Sequence, residues 1–323
     1  MTGRQVERLI TMREAIRVVE SAFKEKGEGK VQMPPKVYVT LDEFEGDFRV
    51  MPGYLLSSHA AGVKIVNVHP NNPKKYNLPT VMATIVLLEP ETGYPICMMD
   101  GTWLTAMRTG AGSGVATKYL AKEGQVSVGI IGAGVQARTQ LMAIAEVRQI
   151  SSAKVYDIAP ESAKRFVKEM AKLVGGKLTS VGSVDEATSG VDVIVTATPA
   201  REPILFSRHV RPGIHINAIG ADAPGKQELD TEILMRARVI VDDLEQASHS
   251  GEVQTCLRKG LFGRDHICAE LGEIVAGKKN GRQSADEITV FDSTGLAIQD
   301  ISVALAVYRN AIKTHVGTKI SMF

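Results

Sequence analysis

The pattern of apolar and polar positions divides the chain into a stretch of short strands and a later stretch in which strands and helices alternate. A helix comes first, because Ile16, Val19 and Phe23 follow at helical spacing a capping box formed by Thr11 and Glu14. Short β-rich runs separated by the turn sequences EGD, HPNNP and ETGYP then predict an antiparallel or mixed sheet. The predicted strands are Lys36–Leu41, Phe48–Met51, Gly62–Val68, Thr80–Leu88 and Pro95–Met99.

The alternating stretch begins after a predicted helix over Thr102–Ala121. Apolar runs are separated there by helix-like segments such as Gln136–Val147 and Glu161–Leu173, which predicts a parallel, doubly wound sheet. The predicted strands are Val126–Ile131, Ala153–Tyr156, Val191–Thr196, His215–Ile219, Val239–Val241 and Ile288–Phe291. A last helix, from Gly295 to about Lys313, is expected to return to the N-terminal domain.

Composition and charge exclude several classes of partner. The 323 residues are enough for two domains, and a hydrophobic content of 44% is ordinary for globular proteins. Because 38 basic residues face 36 acidic ones without a long run of like charge, neither nucleic acid nor a membrane is an expected partner. The three cysteines match neither a disulfide framework nor a zinc motif, and the histidines match no ligand spacing, so we expect a cytoplasmic protein without a metal site.

A glycine-rich turn follows the first strand of the alternating stretch. The turn is Gly132-Ala133-Gly134-Val135-Gln136. Gly132 permits the tight bend, Gly134 lets the backbone approach a pyrophosphate, and the helix that follows offers unpaired N–H groups. Asp157 ends the next strand, where a carboxylate would accept hydrogen bonds from ribose hydroxyls and repel a 2′-phosphate. The sequence therefore predicts NAD as cofactor, with NADP kept open by Arg138 and Lys164 nearby in sequence.

Other predicted contacts lie where parallel strands end, since ligands of such sheets bind there. The expected cofactor contacts are Thr196, Ala197, Thr198, Ile219, Gly220 and Ser293, with Thr109 from the preceding helix. Asp222 lies in a loop rich in Gly and Pro and is the candidate acid/base residue; the structural alternative is a turn or helix-capping aspartate. A second glycine-rich run, Gly110–Gly114, has no strand before it and indicates close packing of a helix.

Four cations of the N-terminal stretch are candidates for binding a substrate carboxylate. They are Lys36, Arg49, Lys64 and Arg108. Each alone is more often a solvated charge, but together they would form a receptor for an α-carboxylate. Lys64 is flanked by apolar residues in GVKIV, so we expect it in a pocket or on a polar face.

The chain resembles the ornithine cyclodeaminase and μ-crystallin family along nearly its whole length. The matching stretches are QMPPKVY, RVMP, GVKIVNVHP, LPTVMATIVLLEPETGYP, LTAMRTGAGSGVA, GAGVQAR, INAIGADAPGKQELD, VDDLEQASHSGE and FDSTGLAIQD. The resemblance implies an α/β protein in which a Rossmann-type, doubly wound NAD-binding domain (residues 121–299) is inserted in an α+β substrate and dimerisation domain (residues 1–120 and 300–323). It also implies a homodimer, with Lys64 and Asp222 catalytic and Arg108 at the substrate.

The substrate is less closely defined by this resemblance. Arg49 stands where ornithine cyclodeaminases of the family place a glutamate, and a cation there would repel the second ammonium group of ornithine. RVMP and MPPK are most similar to the archaeal-type alanine dehydrogenases of the family. This similarity implies reversible, NAD-dependent deamination of L-alanine to pyruvate and ammonium, with Lys36, Arg49 and Arg108 around the carboxylate. The alternatives are a reductase of cyclic imines such as pyrroline-2-carboxylate, an ornithine cyclodeaminase, and a non-catalytic NAD(P)-binding crystallin-like protein.

Overall fold

The computed structural model describes residues 1–321, and the chain forms two compact units. The first unit combines Met1–Arg108 with the C-terminal segment that begins at Leu296, and the second unit is Thr109–Gly295. The sequence places the same two divisions slightly later, after residues 120 and 299, and the last two residues of its C-terminal segment lie outside the described residues. The assignment of substrate and NAD binding to separate domains stays a prediction at this point.

The helices and strands of the described chain have the following bounds. The helices are α1 (Gly3–Arg8), α2 (Met12–Gly27), α3 (Asn72–Lys75), α4 (Thr102–Leu120), α5 (Val135–Val147), α6 (Pro160–Met170), α7 (Val184–Thr188), α8 (Thr231–Arg236), α9 (Leu244–Ser250), α10 (Val253–Lys259), α11 (Leu271–Val275) and α12 (Ala297–Thr314). The strands are β1 (Val31–Gln32), β2 (Val37–Leu41), β3 (Gly46–Leu55), β4 (Ala60–Val68), β5 (Val81–Leu88), β6 (Pro95–Asp100), β7 (Gln125–Ile131), β8 (Gln149–Tyr156), β9 (Lys177–Ser180), β10 (Val193–Thr196), β11 (His215–Ala218), β12 (Arg238–Val241), β13 (Ile267–Glu270) and β14 (Thr289–Asp292).

The first unit is built on an antiparallel sheet. Its six strands follow the order β1-β3-β4-β5-β6, with β2 paired to β3, which confirms the predicted sheet of short strands. Side chains alternate between its faces, so that in β4 Lys64 and Val66 are buried while Ile65 is exposed. The C-terminal helix α12 packs against β3, β4 and β5 and against α2, as the sequence predicts for the end of the chain.

The N-terminus of α2 shows how local sequence fixes this packing. The Thr11 hydroxyl accepts a hydrogen bond from Glu14 N at 3.2 Å, which is one half of the predicted capping box. The Glu14 carboxylate accepts hydrogen bonds from Asn310 Nδ2 at 3.1 and 3.2 Å. Because Asn310 belongs to α12, the capping segment also ties the first long helix to the last one.

The second unit contains a parallel sheet with the strand order β13-β12-β14-β11-β10-β7-β8-β9. The chain runs outward from β7 to β9 and then returns to the other side of β7 with β10, so the strand order reverses between β7 and β10. This arrangement confirms the predicted α/β class, with the doubly wound unit inserted in an α+β unit. The short outer strands β9 and β13 were not predicted, because neither is a buried apolar run.

Two further features concern the chain as described. A helix long and apolar enough to span a membrane is absent from residues 1–321. In the same range, His, Cys, Asp and Glu side chains form no group of three or more that could hold a metal ion.

Candidate functional site

The predicted glycine-rich turn joins β7 to α5 at the carboxyl end of the parallel sheet. Gly132 has a φ of +96°, a backbone region that favours glycine, and a Cβ there would lie 2.6 Å from the carbonyl oxygen of Ala197. Gly134 has an ordinary φ of −79°, and a Cβ there would meet no described atom within 4 Å. Gly132 is therefore required by the turn itself, whereas Gly134 leaves open the space that a diphosphate would approach.

Asp157 follows β8 and is tied to this turn. Its Oδ2 accepts a hydrogen bond from Ala133 N at 2.7 Å, and its Oδ1 accepts one from Ala159 N at 2.8 Å. A carboxylate oxygen can accept more than one hydrogen bond, so both oxygens keep capacity for ribose hydroxyls. The fixed carboxylate beside the open glycine turn fits a dinucleotide with a free ribose 2′-hydroxyl.

Two cations that lie near Asp157 in sequence are paired with carboxylates. Arg138 donates from Nη1 to the carbonyl oxygen of Ala133 at 2.6 Å and forms an ion pair with Glu169 at 2.6 Å. Lys164 forms an ion pair with Glu161 at 2.7 Å. The guanidinium of Arg138 thus stabilises a carbonyl of the glycine turn.

The other predicted cofactor contacts lie along the same edge of the sheet. They are Thr196, Ala197 and Thr198 after β10, Ile219 and Gly220 after β11, and Ser293 after β14. Backbone hydrogen bonds join these segments: Ile219 N donates to Thr196 O at 3.0 Å, and Ser293 N donates to Ala218 O at 3.1 Å. The structure therefore brings this predicted set together in the second unit.

The glycines of α4 allow close packing, as predicted for the second glycine-rich run. A Cβ on Gly110 would lie 2.5 Å from the carbonyl oxygen of Thr139 in α5. The neighbouring Thr109 carbonyl accepts a hydrogen bond from Gln140 Nε2 at 3.3 Å. Thr109 therefore lies beside the helix that leaves the glycine-rich turn.

In the first unit, Lys64, Arg108 and Asp300 form a buried charge cluster. Lys64 Nζ lies 2.7 Å and Arg108 Nε lies 3.0 Å from the same oxygen, Asp300 Oδ1. Lys64 is on β4, Arg108 on α4 and Asp300 on α12, so packing of helices on the sheet brings together residues that are far apart in the chain. We call this group the Lys64 cluster.

The environment of Lys64 changes its protonation. Burial of the amine, the dominant cause, together with the positive charges of Arg108 and Lys36, lowers the pKa of Lys64 to about 7, and the Asp300 carboxylate opposes this shift. An amine with this pKa can hold or release a proton near neutral pH. The same interaction shows that Lys36, another predicted substrate residue, lies close enough to act on Lys64 electrostatically.

Sequence reasoning missed Asp300 and its neighbour Gln299. Gln299 Oε1 accepts hydrogen bonds from Arg108 Nη1 at 3.0 Å and from Leu296 N at 2.9 Å. Both residues are buried in the stretch LAIQDISVAL, where a carboxylate among apolar helical positions is the signal that could have indicated a partner cation. Within residues 1–321, Asp300 Oδ2 has no hydrogen-bond partner.

Arg49 is also buried, but its charge is compensated by a residue that was not predicted. Its Nε and Nη2 donate to the two carboxylate oxygens of Asp47 at 2.9 and 3.2 Å, and its guanidinium lies 5.1 Å from the ring centroid of Tyr38. In the register of the sheet, Arg49 is on the same face as Lys64. Arg49 is therefore rigidly oriented.

Asp222 lies in the loop after β11 of the second unit. Its carboxylate forms an ion pair with Lys226 at 2.6 Å, and about a third (35%) of its side chain is exposed. Its backbone N–H donates to Gly220 O at 3.1 Å, so a tight turn follows the strand. The accessible carboxylate is compatible with acid/base work, and Lys226 is a partner that sequence reasoning missed.

The acidic pair Asp242 and Asp243, in the stretch VDDLEQASHSGE, has a structural role. Asp243 caps α9 by accepting a hydrogen bond from Gln246 N at 2.9 Å. The buried Asp242 accepts hydrogen bonds from Thr294 N at 2.7 Å and Gly295 N at 2.6 Å. Asp242 therefore holds the loop after β14, which contains Ser293.

Comparison with known proteins agrees with this arrangement. The profile of the ornithine cyclodeaminase/mu-crystallin family matches residues 1–315. The chain belongs to this family. An alanine dehydrogenase of Archaeoglobus fulgidus is 51% identical over all of this chain and 98% of its own length, which confirms the predicted resemblance to the archaeal enzymes.

Solved structures are similar over the same range. A structure described as an archaeal alanine dehydrogenase dimer with bound NAD has a TM-score of 0.95 and 49% identity, and the match covers 100% of this chain and 98% of that one. The Δ1-pyrroline-2-carboxylate reductase of Thermococcus litoralis, in complex with NADH and L-proline, has a TM-score of 0.96 and 45% identity over 99% of both chains. The family is therefore shared by enzymes whose names give different substrates.

Proposed function

We propose that this protein is an NAD-dependent dehydrogenase that converts L-alanine, water and NAD⁺ reversibly into pyruvate, ammonium, NADH and a proton. The observation that carries the proposal is the buried Lys64 cluster, in which two cations share a single carboxylate oxygen of Asp300. The identity of 51% to an alanine dehydrogenase supports the choice of amino acid.

The second unit holds the cofactor in this proposal. Gly134 leaves room for the diphosphate, the first turn of α5 offers N–H groups to it, and Asp157 accepts hydrogen bonds from the ribose. When bound, NAD⁺ supplies the acceptor for the hydride that leaves Cα of the amino acid. The Asp157 carboxylate disfavours a 2′-phosphate, so NAD is preferred over NADP.

The first unit recognises the substrate carboxylate. Lys64 and Arg108 carry more positive charge than Asp300 neutralises, and Lys36 adds to it. An α-carboxylate would balance this excess, and the fork of Arg108 suits its two oxygens. Arg49 lies on the same face of the sheet as Lys64, but because Asp47 pairs with it, its charge alone does not exclude a second ammonium group on the substrate.

Lys64 and Asp222 have the catalytic roles. Protonated Lys64 donates a hydrogen bond to the oxygen that develops on the substrate as water adds to the iminium carbon, and so stabilises negative charge that appears in the transition state. Asp222 takes a proton from the substrate ammonium and releases it to solvent, which leaves the neutral amine from which the hydride departs. Asp222 then takes a proton from the attacking water and returns it to the nitrogen of the carbinolamine. The carbinolamine hydroxyl loses its proton as the keto group of pyruvate forms, and the ammonia that leaves takes up that proton to become ammonium.

A second candidate is reduction of Δ1-pyrroline-2-carboxylate to proline. It is favoured by the 45% identity to the Thermococcus litoralis reductase, whose structure contains L-proline. This substrate also combines an α-carboxylate with a C=N bond at Cα, so Lys36, Lys64 and Arg108 would bind it by the same contacts. The size of the substrate, rather than its charge, separates the two reactions.

We also propose that the protein forms a homodimer through its six-stranded sheet. The face opposite Lys64 carries exposed apolar side chains in β2, β4 and β6, including Val37, Ile65 and Met98 at 56, 46 and 63% exposure. Such a patch is typical of an interface. The structural relative that is described as a dimer supports this assignment.

A substrate panel tests the proposal. NADH oxidation is measured with pyruvate plus ammonium, with Δ1-pyrroline-2-carboxylate, and with each substrate and NADPH; ornithine is tested separately for conversion to proline and ammonium. We expect the highest kcat/KM with pyruvate, ammonium and NADH. A higher kcat/KM with the cyclic imine would establish the second candidate. NADH binding without turnover of any substrate would instead favour a crystallin-like role.

Lys64→Met tests whether turnover in the substrate panel depends on the Lys64 amine. We expect it to lower kcat for the preferred substrate by about 100- to 1,000-fold, the usual cost of removing one donor to a developing oxyanion. It should leave NADH affinity unchanged, because Lys64 does not belong to the unit that contains the glycine-rich turn.

A further inference from the structure

Buried carboxylates support the loops at the carboxyl end of the parallel sheet. They are Glu228, Glu252, Asp292 and Asp242, each with no measurable exposure to solvent. None was a candidate in the sequence analysis, and none has a role in the proposed reaction. Each of these carboxylates accepts hydrogen bonds from backbone N–H groups, either of the segment that contains another of the four or of a neighbouring loop. We call the four residues the carboxylate relay.

Glu228 lies between the loops that follow β10 and β11. Its Oε1 accepts hydrogen bonds from Thr198 N and Thr198 Oγ1, both at 2.7 Å, and its Oε2 accepts one from Gly220 N at 2.8 Å. The packing is tight, since a Cβ on Gly220 would overlap both Glu228 and the carbonyl oxygen of Thr198. One side chain therefore fixes the distance between the two loops.

The other members of the relay hold Glu228 in place. Glu252 accepts hydrogen bonds from Glu228 N at 2.8 Å and from Leu229 N at 3.0 Å. The residue after Glu252, Val253, donates its N–H to Asp292 at 3.1 Å. Asp292 ends β14, and its carbonyl oxygen accepts a hydrogen bond from Asp242 N at 3.2 Å. The relay thus connects the loops after β10, β11 and β14.

These loops lie on one side of the point where the strand order reverses. The diphosphate turn follows β7 and the ribose acceptor Asp157 follows β8, which assigns the adenosine half of the dinucleotide to the β7–β8 side. Because a dinucleotide spans the reversal point, its other half falls beside β10 and β11. That half contains the nicotinamide ring, where the chemistry takes place.

We infer that Glu228 is a positioning residue that holds the nicotinamide half of the cofactor in its reactive place by fixing the loops at Thr198 and Gly220. The inference rests on the proposed use of NAD. Since Glu228 contacts backbone groups of the loops, it acts through them and needs no contact with the cofactor. The adenosine half, held by Gly134 and Asp157, should not depend on Glu228.

Glu228→Gln keeps the volume of the side chain but removes one acceptor. A carboxyl oxygen can accept the N–H of Gly220 or of Thr198 in either protonation state, whereas an amide nitrogen only donates. In either orientation of the amide, one loop therefore faces a donor where it had an acceptor. An unmade buried hydrogen bond of this kind is costly, so the two loops are expected to separate.

The test compares two ligands on the intact protein. NADH binding is measured by fluorescence titration, and binding of ADP, which lacks the nicotinamide half, is measured by calorimetry. We expect Glu228→Gln to raise the Kd of NADH about tenfold while the Kd of ADP stays within about twofold of the wild-type value. A parallel loss of both affinities, or no loss of either, would overturn the positioning role. Wild-type protein that binds neither ligand would refute the proposed use of NAD instead.

Asp192→Asn is a matched control. Asp192 also accepts a backbone hydrogen bond, from Ser127 N at 2.9 Å, but it precedes β10 and lies at the amino end of the same sheet. We expect this variant to lower the melting temperature without changing the ratio of the two Kd values. If Asp192→Asn weakened NADH binding selectively as Glu228→Gln does, the effect would be a general one of the sheet, and the inference would fail.

A milder pair of variants keeps the test decisive if Glu228→Gln does not fold. Thr198→Val removes the hydroxyl that donates to Glu228, and Thr198→Ser retains it. We expect a selective, about threefold rise in the Kd of NADH for the valine variant and a smaller rise for the serine variant, which keeps the hydroxyl. Equal rises for the two variants, or a valine variant that binds NADH and ADP as the wild-type protein does, would overturn the inference.

Discussion

A buried, protonated amine beside an arginine is energetically unfavourable. The contacts of the Lys64 cluster show what offsets this cost. Removing the ammonium of Lys64 from water disfavours its charge, and Arg108 repels it. Asp300 offsets part of both effects at 2.7 Å. The result is a lysine whose pKa lies near 7, so a change in any one neighbour alters its charge at physiological pH.

This balance predicts a pH dependence. If charged Lys64 binds the substrate carboxylate, affinity for oxamate, an unreactive isostere of pyruvate, should fall as pH rises through about 7, because the amine then loses its proton. Asp300→Asn removes the charge that raises the pKa of Lys64. The pH at which oxamate affinity begins to fall, which we call the break, should therefore move to a lower value. Lys64→Arg should abolish the break, since a guanidinium stays charged. The measurement is the inhibition constant of oxamate from pH 5.5 to 9, roughly one to two units either side of the expected break.

The charge of Lys36, which also acts on Lys64, provides the control for this pH experiment. Lys36→Gln removes a cation that lowers the pKa of Lys64, so its break should move in the opposite direction, to higher pH. Breaks that coincide in wild type, Asp300→Asn and Lys36→Gln would show that another group titrates. Lys64 would then have no part in the pH dependence.

The residues of the Lys64 cluster also show which contacts can be predicted from the sequence and which cannot. Lys64 was noticed because a charge stands among apolar strand residues, and Arg108 because its motif is shared with a family. Asp300 is separated from Lys64 by 236 positions, and only the packing of α12 on the sheet brings the two together. Asp47 and Lys226 were missed for a different reason, since a nearby opposite charge is ordinary on any surface and carries no signal by itself.

At the scale of elements, the turn between β7 and α5 was predictable because its requirements are local. A strand, a bend that only glycine tolerates, a helix start and a terminal acid all lie within a short stretch of sequence. The strands β9 and β13 lack such a signal, because they are short and their burial comes from neighbours rather than from their own apolar pattern. The carboxylate relay could not be predicted either, since Glu228 and Asp292 bind backbone N–H groups that lie 30 and 39 positions away in sequence.

The two glycines of this turn should respond differently to the same substitution. Gly132→Ala introduces a Cβ 2.6 Å from Ala197 O on a backbone with φ of +96°, so we expect it to lower the free energy of unfolding by about 1–3 kcal/mol and to weaken NADH binding. Gly134→Ala introduces a Cβ into open space on an ordinary backbone. It should leave stability unchanged or slightly higher and still raise the Kd of NADH at least tenfold, because the methyl group takes the space of the diphosphate.

Thermal unfolding and NADH titration of both glycine variants separate these effects. The comparison is internally controlled, because each variant adds the same methyl group to the same turn. Wild-type affinity in a folded Gly134→Ala protein would mean that the diphosphate does not approach this glycine. The predicted role of the turn would then be wrong, although its fold would stand.

At the scale of the whole chain, the first unit is completed only by the last segment. Residues 1–108 supply the six-stranded sheet, with Lys64 and Arg108, and the segment from Leu296 supplies α12, which covers the sheet and carries Asp300. The second unit is formed by the residues between them. The proposed substrate receptor therefore depends on both ends of the chain. This explains why the order of motifs along the sequence indicated an inserted domain. No local signal in the sequence marks the exact domain boundaries.

The outer face of the six-stranded sheet leads to a prediction about assembly. Val37, Ile65 and Met98 are exposed in β2, β4 and β6, and register places them on the face opposite Lys64. A charge at the centre of an apolar interface is strongly unfavourable unless it is paired. We therefore expect Ile65→Lys to convert a dimer of twice 34.8 kDa into monomers of 34.8 kDa, as measured by sedimentation velocity.

Ile158→Lys is the matched control. Because Ile158 is 92% exposed in the second unit, this variant should leave the dimer intact. A wild-type monomer, or an Ile65→Lys protein that stays dimeric while folded, would show that this face is not the interface.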